Sequence, residues 1–588
     1  MPILHVASAP ASESLIAEAP ILSIPRAQTN ERTAARHLVD AMQNFGIRAA
    51  FGIPGGAIGT IYDCLSHSPI DLYLTQHETS AAYAAMGRAL ATHCRELSVC
   101  LATSGPGMTN LVTGVAAAYA ESVPLLVVTG NSSTRNRDLG ALQDSHVGGI
   151  DAVRMFDSIT VSSRGVSRAE ELVPLFYRMA ELSLRSKKPV HINVPQDVSN
   201  EVLHVVNHER LRWQENALGG GSRAFLTRFL AAERPVIFAG NGVKTSGLGP
   251  ELEDVARRHA LPIIVSTHAR GCVPESSPHF AGTFGFASNG AGRRFLEDHR
   301  PDAILFLGTS LGEMATSGWS PLLGMPELRI QVDLDPHRFH RAYRMSAVIE
   351  TDIAVVLEEL GQRSSARTNV PYRPGTSMIR QRPLEKPQAA DIDPRSLFQD
   401  LASLCPEDTV FFSDIGNGAA WCMHALQLRE RQNLFVSLGL SSMGSGLGAA
   451  LGAATKWKER PIVCICGDGA ALMHGSELMT AAEYGLSVKV IVLNDGGLGM
   501  VAHGSRLVGL EHGRFRYRGR VNFESFGKAL GMPSACIRNE HDLLAIQLPH
   551  LLAQPGPYLL DVWINPAVEP PISDRARVLG HAASVERR

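Results

Sequence analysis

Short apolar runs recur along the chain, each broken by Gly, Pro, Asn, Asp or Ser and followed by apolar positions at helical spacing. The clearest case lies within residues 461–500. Residues 462–466 (Ile-Val-Cys-Ile-Cys) are apolar at every position, the pattern of a short strand buried on both faces, and Gly467, Asp468 and Gly469 end it in a tight turn. Ser476 suits an N-cap, residues 477–484 a helix and Gly485 its stop; residues 488–493 form a second buried strand that ends at Asn494. A right-handed strand-helix-strand unit brings two such ends to one edge of a parallel sheet, where open α/β sheets bind ligands. Asp468 and Asn494, 26 positions apart in sequence, are therefore expected to be neighbours in space.

The same alternation predicts a strand running into a glycine-rich turn at 49–56, a strand at 71–75, an alanine-rich helix at 79–91, buried strands at 97–102 and 125–129, and a strand into a turn at 188–195. Residues 235–242 and 330–335 read as strands ending in polar turns, and 411–418 as a strand ending in a glycine loop. The fold class is α/β, three doubly wound parallel-sheet domains at 29–200, 218–362 and 393–566. An Ala-, Ser- and Pro-rich extension covers 1–28, a Pro-rich charged linker 363–392, and a tail 567–588.

Composition narrows the partners. The chain has 588 residues, 45% hydrophobic and 19% charged, ordinary for a globular protein with several cores. Its 55 basic residues are balanced by 57 acidic ones without a basic block, which argues against a nucleic-acid or membrane-surface role and leaves small metabolites. Nine scattered cysteines show no metal-ligand spacing and read as reduced thiols of a cytoplasmic protein. No apolar run reaches the roughly 18 residues of a membrane span.

One carboxylate and one carboxamide offer hard oxygen ligands to a small divalent cation, and Mg²⁺ completes such a set with phosphate and water. Glycines beside Asp468 let backbone N–H groups approach phosphates. By itself Gly-Asp-Gly is a turn; the strand-turn-helix-strand setting with Asn494 in register favours a site. The pattern Gly467-Asp468-Gly469, 24 residues, then Asn494 resembles the thiamine diphosphate signature of 2-oxo-acid decarboxylases and acetolactate synthases. The resemblance implies Mg²⁺ on Asp468, Asn494 and the backbone oxygen of Gly496, with Ala470, Leu498, Gly499 and Met500 beside the cofactor.

Glu78 stands at a strand-to-helix junction, where a helix N-terminus favours a carboxylate whatever its role. Following Pro54-Gly55-Gly56, it is similar to the family's glutamate that hydrogen-bonds N1′ of the cofactor's aminopyrimidine. Gly55 resembles the family's first loop, Ser104-Gly105-Pro106-Gly107 its Ser-Gly-Pro-Gly loop, and Gly416-Asn417 its diphosphate segment, although a histidine often found at the Gly418 position is absent. Ser441-Ser442-Met443 is similar to the segment whose bulky residue wedges beneath the cofactor; a Met there also suits a gap-filling role in a core. Gln143 carries over from a substrate-side phenylalanine-glutamine pair, whereas Leu142 departs from it. His146 reads as a surface-loop histidine, and His503 as either a proton donor or a solvated loop residue.

The resemblance covers roughly residues 30–565. It implies a carboligase that decarboxylates a 2-oxo acid, pyruvate favoured, and transfers the acyl-anion equivalent to a second carbonyl or other acceptor. Ala502-His503-Gly504 replaces a tryptophan-bearing stretch, which points to a specialised relative. A non-ligating decarboxylase or lyase that releases an aldehyde is the alternative. Gly282-Thr283-Phe284-Gly285-Phe286 stands where a Met-His-Gly tripeptide is expected, which counts against FAD in the central domain. The resemblance also implies a homodimer or homotetramer with active sites at the subunit interface.

Overall fold

A computed structural model describes residues 32–204, 218–364, 391–510, 513–575 and 578. The extension expected at 1–28 lies outside the described residues, as do all but the ends of the linker expected at 363–392.

Three six-stranded sheets, parallel throughout, carry the chain. The first contains β1 (Ala49–Gly52), β2 (Asp71–Leu74), β3 (Ser98–Ala102), β4 (Leu125–Asn131), β5 (Ser162–Gly165) and β6 (Val190–Pro195), in the spatial order β2-β1-β3-β4-β6-β5. The second contains β7 (Pro235–Ala239), β8 (Ile263–Ser266), β9 (Phe280–Phe284), β10 (Ala303–Leu307), β11 (Leu328–Asp333) and β12 (Ala347–Glu350), ordered β9-β8-β7-β10-β11-β12. The third contains β13 (Val410–Ser413), β14 (Asn433–Val436), β15 (Ile462–Gly467), β16 (Val488–Asn494), β17 (Ser534–Ile537) and β18 (Tyr558–Trp563), ordered β14-β13-β15-β16-β18-β17. The three doubly wound sheets match the α/β expectation. Central strands such as β4 and β16 are buried at every position, in keeping with their largely apolar sequences.

Counted within its own sheet, each outer domain has the strand order 2-1-3-4-6-5, whereas the central domain has 3-2-1-4-5-6. The first and third domains therefore repeat one topology, which the amino-acid pattern alone did not reveal. In each, the helix after the second strand faces its counterpart: α1 (Glu78–Ala91) crosses a helix over Ser445–Lys456. The approach is close. A Cβ on Gly87 would collide with the carbonyl of Ala449, and one on Gly452 with that of Ala84. Tyr83, Met86, Leu447 and Val492 accordingly belong to one hydrophobic cluster that runs through both domains.

Two helices complete the frame. α2 (Pro106–Glu121) follows β3, the crossing helix Ser445–Lys456 is α3, and α4 (Asp468–His474) follows β15. The tight turn expected at Gly467–Gly469 is in fact the start of α4, a helix without an apolar stripe long enough to show in sequence. Similarly, where a strand into a turn is expected at 188–195, the strand runs through Pro195 and a short helix, Gln196–Asn200, follows. Among the described residues no helix is long and apolar enough to cross a membrane.

Candidate active site

Asp468 opens α4 at the C-terminal end of β15, and Asn494 closes the adjacent strand β16. Both are buried. The Asp468 carboxylate accepts the backbone N–H of Gly469 at 2.8 Å through Oδ1, and those of Gly496 and Gly497 at 2.9 Å through Oδ2. Burial, and next the charge of Asp495, push its acid up to about 7. The Asn494 amide nitrogen donates to the Val521 carbonyl at 2.8 Å and to Asp561 Oδ1 at 2.9 Å, but its Oδ1, fully buried, accepts no hydrogen bond. Gly496 has φ +77°, which glycine adopts without strain, and its carbonyl accepts the Tyr517 N–H at 2.9 Å. One lone pair of that carbonyl stays available.

A buried carbonyl oxygen without a partner costs about 1–3 kcal/mol, so Asn494 Oδ1 marks a place where something else is to be bound. Among the described residues no group of three or more His, Cys, Asp or Glu side chains could hold a metal. The donors gathered here are instead one carboxylate, one carboxamide and one main-chain carbonyl. Hard oxygen donors of that number suit Mg²⁺ that keeps phosphate and water ligands, so these residues fit a Mg²⁺-diphosphate group.

The neighbouring expected residues gather around the same turn. A Cβ on Gly469 would lie 2.7 Å from Leu498 Cδ2 and 2.9 Å from Met443 Cε, so Met443 and Leu498 both pack on the face of Gly469 that a side chain would occupy. Ala470 is buried beside it. A Cβ on Gly499 would meet both Asp495 and Asn417 Nδ2, and Asn417 Oδ1 is buried without a partner. Gly416, at φ +144°, precedes the helix Asn417–Ala425, whose N-terminal amides face this end of the sheet. Ser441 has φ +60° and donates its hydroxyl to the Leu438 carbonyl at 2.9 Å. Asp414 was not singled out from the sequence: buried, it accepts the amides of Gly444, Gly446 and Leu447 and so anchors the start of α3 directly after Met443.

The N-terminal residues gather at the start of α1. Glu78 is the first residue of α1, and its Oε2 accepts from Asn110 Nδ2 at 3.0 Å. A Cβ on Gly107 would lie 3.2 Å from Oε1, and one on Gly55 would strike Thr103, so these glycines let the loops close on Glu78. Gln143, at φ +56°, packs on Gly105, while Leu142 is exposed. Among the described residues no hydrogen bond joins Glu78 or Gln143 to Asp468, Asn494 or Met443.

Both histidine readings need correction. His146 is buried, with Nδ1 at 3.3 Å from Asn131 Nδ2 and Nε2 at 3.1 Å from the Ser132 carbonyl, because the loop folds back over β4. His503 is no solvated loop residue either: it is buried on the helix α5 (Gly499–Leu507), with Nε2 3.0 Å from the Pro566 carbonyl, and burial lowers its pKa to about 4. Its Nδ1 is buried without a hydrogen-bond partner among the described residues.

A cavity of about 900 Å³ opens between the strand ends of the central domain and this group, lined among others by Glu121, Asn241, Gly416, Ser441 and Met500. Phe286 also lines it, and Gly282 and Gly285 beside it hold positive φ where a Cβ would strike neighbouring main chain.

Similarity to known proteins agrees with the geometry. Residues 32–154 match the thiamine pyrophosphate enzyme N-terminal TPP binding domain, 223–360 the central domain, and 414–562 the C-terminal TPP binding domain. The chain is 30% identical over 559 residues to the acetolactate synthase of Arthrospira platensis, covering 91% of this chain and 94% of that protein. It is 29% identical over 544 residues to the acetolactate synthase isozyme 1 large subunit of Escherichia coli (strain K12), with 91% and 94% covered. The acetolactate synthase large subunit of Cyanidium caldarium is 28% identical over 558 residues, with 90% and 93% covered. The chain thus belongs to the thiamine pyrophosphate-dependent enzymes, in the acetolactate synthase-like family.

Proposed function

We propose that the protein is a Mg²⁺- and thiamine diphosphate-dependent carboligase that decarboxylates a 2-oxo acid, pyruvate first among the candidates, and passes the remaining acyl unit to a second carbonyl compound. The observation that carries the reading is the unspent, buried Asn494 Oδ1 at the strand end beside Asp468. Ligation, as opposed to release of an aldehyde, is supported by the acetolactate synthases among the relatives.

In this reading Asp468, Asn494 and the Gly496 carbonyl would hold Mg²⁺, and Gly416, Asn417, Ser441, Gly469 and Ala470 would receive the diphosphate. Bound thiamine diphosphate supplies a carbon nucleophile for the 2-oxo group and a sink for the electron pair left when CO₂ departs. The chain's own residues supply position and proton control. Glu78 Oε2 is occupied by Asn110, so Oε1 is the oxygen free to hold or accept the proton. Met443 and Leu498 pack on Gly469 where a side chain would otherwise stand. Met500 lines the cavity with apolar surface, which solvates a localised carboxylate charge poorly and so favours its loss as neutral CO₂.

The resemblance to the family further supports a site shared between two copies, in a homodimer or homotetramer, with Glu78 of one copy facing the Asp468 site of another. Glu78→Gln and Asp468→Ala chains, each inactive alone, then regain part of the activity after mixing and re-association; no recovery despite demonstrated subunit exchange contradicts the shared site. Nine free cysteines, most of them buried, suit a reducing compartment, and the cytoplasm is the proposed location. The reaction is tested with Mg²⁺, thiamine diphosphate and a panel of 2-oxo acids, singly and in pairs, with products identified by NMR. A C–C bonded hydroxyketone with CO₂ release supports ligation; an accumulating aldehyde supports the non-ligating alternative and overturns the proposal.

A further inference from the structure

Glu121 is the last residue of α2, and its carboxylate is buried where the three domains meet. Oε1 accepts the backbone N–H of Gly439 at 2.5 Å and the Ser437 hydroxyl at 3.4 Å; Oε2 faces Asn241 Nδ2 at 3.5 Å. Asn241 begins the short helix after β7, and Ser437 and Gly439 follow β14. One carboxylate therefore touches a residue of each of the other two domains. The fit is close: a Cβ on Gly439 would fall 2.9 Å from Oε1.

What it holds matters more than that it holds. Gly439 lies two residues before Ser441 and four before Met443, in the segment that turns onto Gly469. At its other end, α2 presents Gly107 and Asn110 to the Glu78 carboxylate. Its 16 residues form a rod of about 24 Å between the two groups that the proposed reaction needs. The nearest cations do not neutralise Glu121: Arg338 is paired with Asp333 and Asp335, and Lys244 donates to the carbonyls of His268 and Leu434. Burial pushes the Glu121 acid up to about 7, opposed chiefly by the Gly439 N–H. A well-packed apolar residue would avoid that cost.

We infer that Glu121 is a positioning residue, whose bond to the Gly439 amide sets the segment that carries Met443 against the N-terminal and central domains. The inference rests on the reading of Met443 as a cofactor-supporting residue. Glu121→Gln keeps an acceptor for Gly439, and Glu121→Ala removes it. For each, thiamine diphosphate affinity in Mg²⁺ is measured by calorimetry, together with kcat and KM for the 2-oxo acid. The expected result is that Glu121→Ala loses about ten-fold or more in both affinity and kcat with KM nearly unchanged, while Glu121→Gln recovers most of both. Wild-type affinity and kcat in Glu121→Ala overturn the assignment, as does a Glu121→Gln enzyme as defective as the Ala variant. Should Glu121→Ala not fold, Glu121→Asp, which withdraws the oxygens by one methylene, is expected to show the same losses, and wild-type values there overturn it equally. The wild-type titration alone decides the thiamine reading; the difference between the variants decides Glu121.

Discussion

The first and third domains carry the same strand order and end their fourth strands on the same residue, Asn131 and Asn494, yet only one of these ends is left open. Both asparagines donate from Nδ2 to the sixth strand, Asn131 to Asn193 Oδ1 at 2.8 Å and Asn494 to Asp561 Oδ1 at 2.9 Å. Strand register makes the positions equivalent, since Thr129 pairs with Asn193 and Val492 with Asp561. The difference lies in Oδ1. That of Asn131 accepts the amides of Ser132 and Ser145, because the following loop folds back on it. That of Asn494 accepts nothing, because the amides of Gly496 and Gly497 are spent on Asp468. By the same register Ser104 occupies the place of Asp468. A binding site arises on a shared frame by adding one carboxylate and withholding two amides.

The comparison can be broken at several points. The largest effect is expected at Glu78, the N-terminal domain's contribution. Glu78→Gln lowers kcat by about 10²–10⁴-fold with a much smaller change in cofactor affinity, measured by steady-state kinetics alongside calorimetry. Next, Asp468→Ala weakens thiamine diphosphate binding in Mg²⁺ by on the order of 100-fold, whereas Ser104→Ala at the equivalent position leaves it nearly unchanged. The asparagines sharpen the contrast further. Asn131→Ala strands the amides of Ser132 and Ser145 and costs about 1–3 kcal/mol in denaturant unfolding without altering cofactor affinity. Asn494→Ala is expected to lower cofactor affinity as well, and to cost stability too because it strands Asp561 Oδ1 and the Val521 carbonyl.

A last effect is a pH slope to which His191 of the first domain contributes. His191 is buried between Thr129 and Ser163, at 2.7 Å from each hydroxyl, and burial lowers its pKa to about 3, while in the unfolded chain it titrates near 6.5. Between these values the unfolded state binds the extra proton. The stabilisation is therefore complete above about pH 6.5 and is lost as pH falls, by about 1.4 kcal/mol per pH unit. The equivalent position of the third domain holds Leu559, which cannot titrate. His191→Gln should reduce the slope by its share in unfolding curves taken at successive pH values.

What could be read from sequence followed from local chemistry. The apolar runs and their glycine breaks located β15, β16 and the helix Glu477–Glu483 almost to the residue, and with them Asp468 and Asn494. Glu78 was visible at its strand-helix junction because β2 and α1 are adjacent in the chain. Other features depend on contacts far apart in sequence. The equivalence of the outer domains lies in strand order, not in residue identity. Asp414 works by meeting amides some 30 positions away, and Glu121 by meeting Gly439. Burial of His146 and His503 likewise depends on what folds over them, the Ser132 carbonyl and the Pro566 carbonyl, and neither partner is suggested by the residues beside the ring.

The central claim is that the third domain's strand ends hold a Mg²⁺-diphosphate group through the oxygens of Asp468 and Asn494. The most direct test is a calorimetric titration of thiamine diphosphate into the wild-type protein with Mg²⁺ present and again after chelation. The account predicts saturable binding with Mg²⁺ that is lost on chelation and restored when the metal is returned. Equal affinity with and without the metal, or no binding in either case, would contradict it.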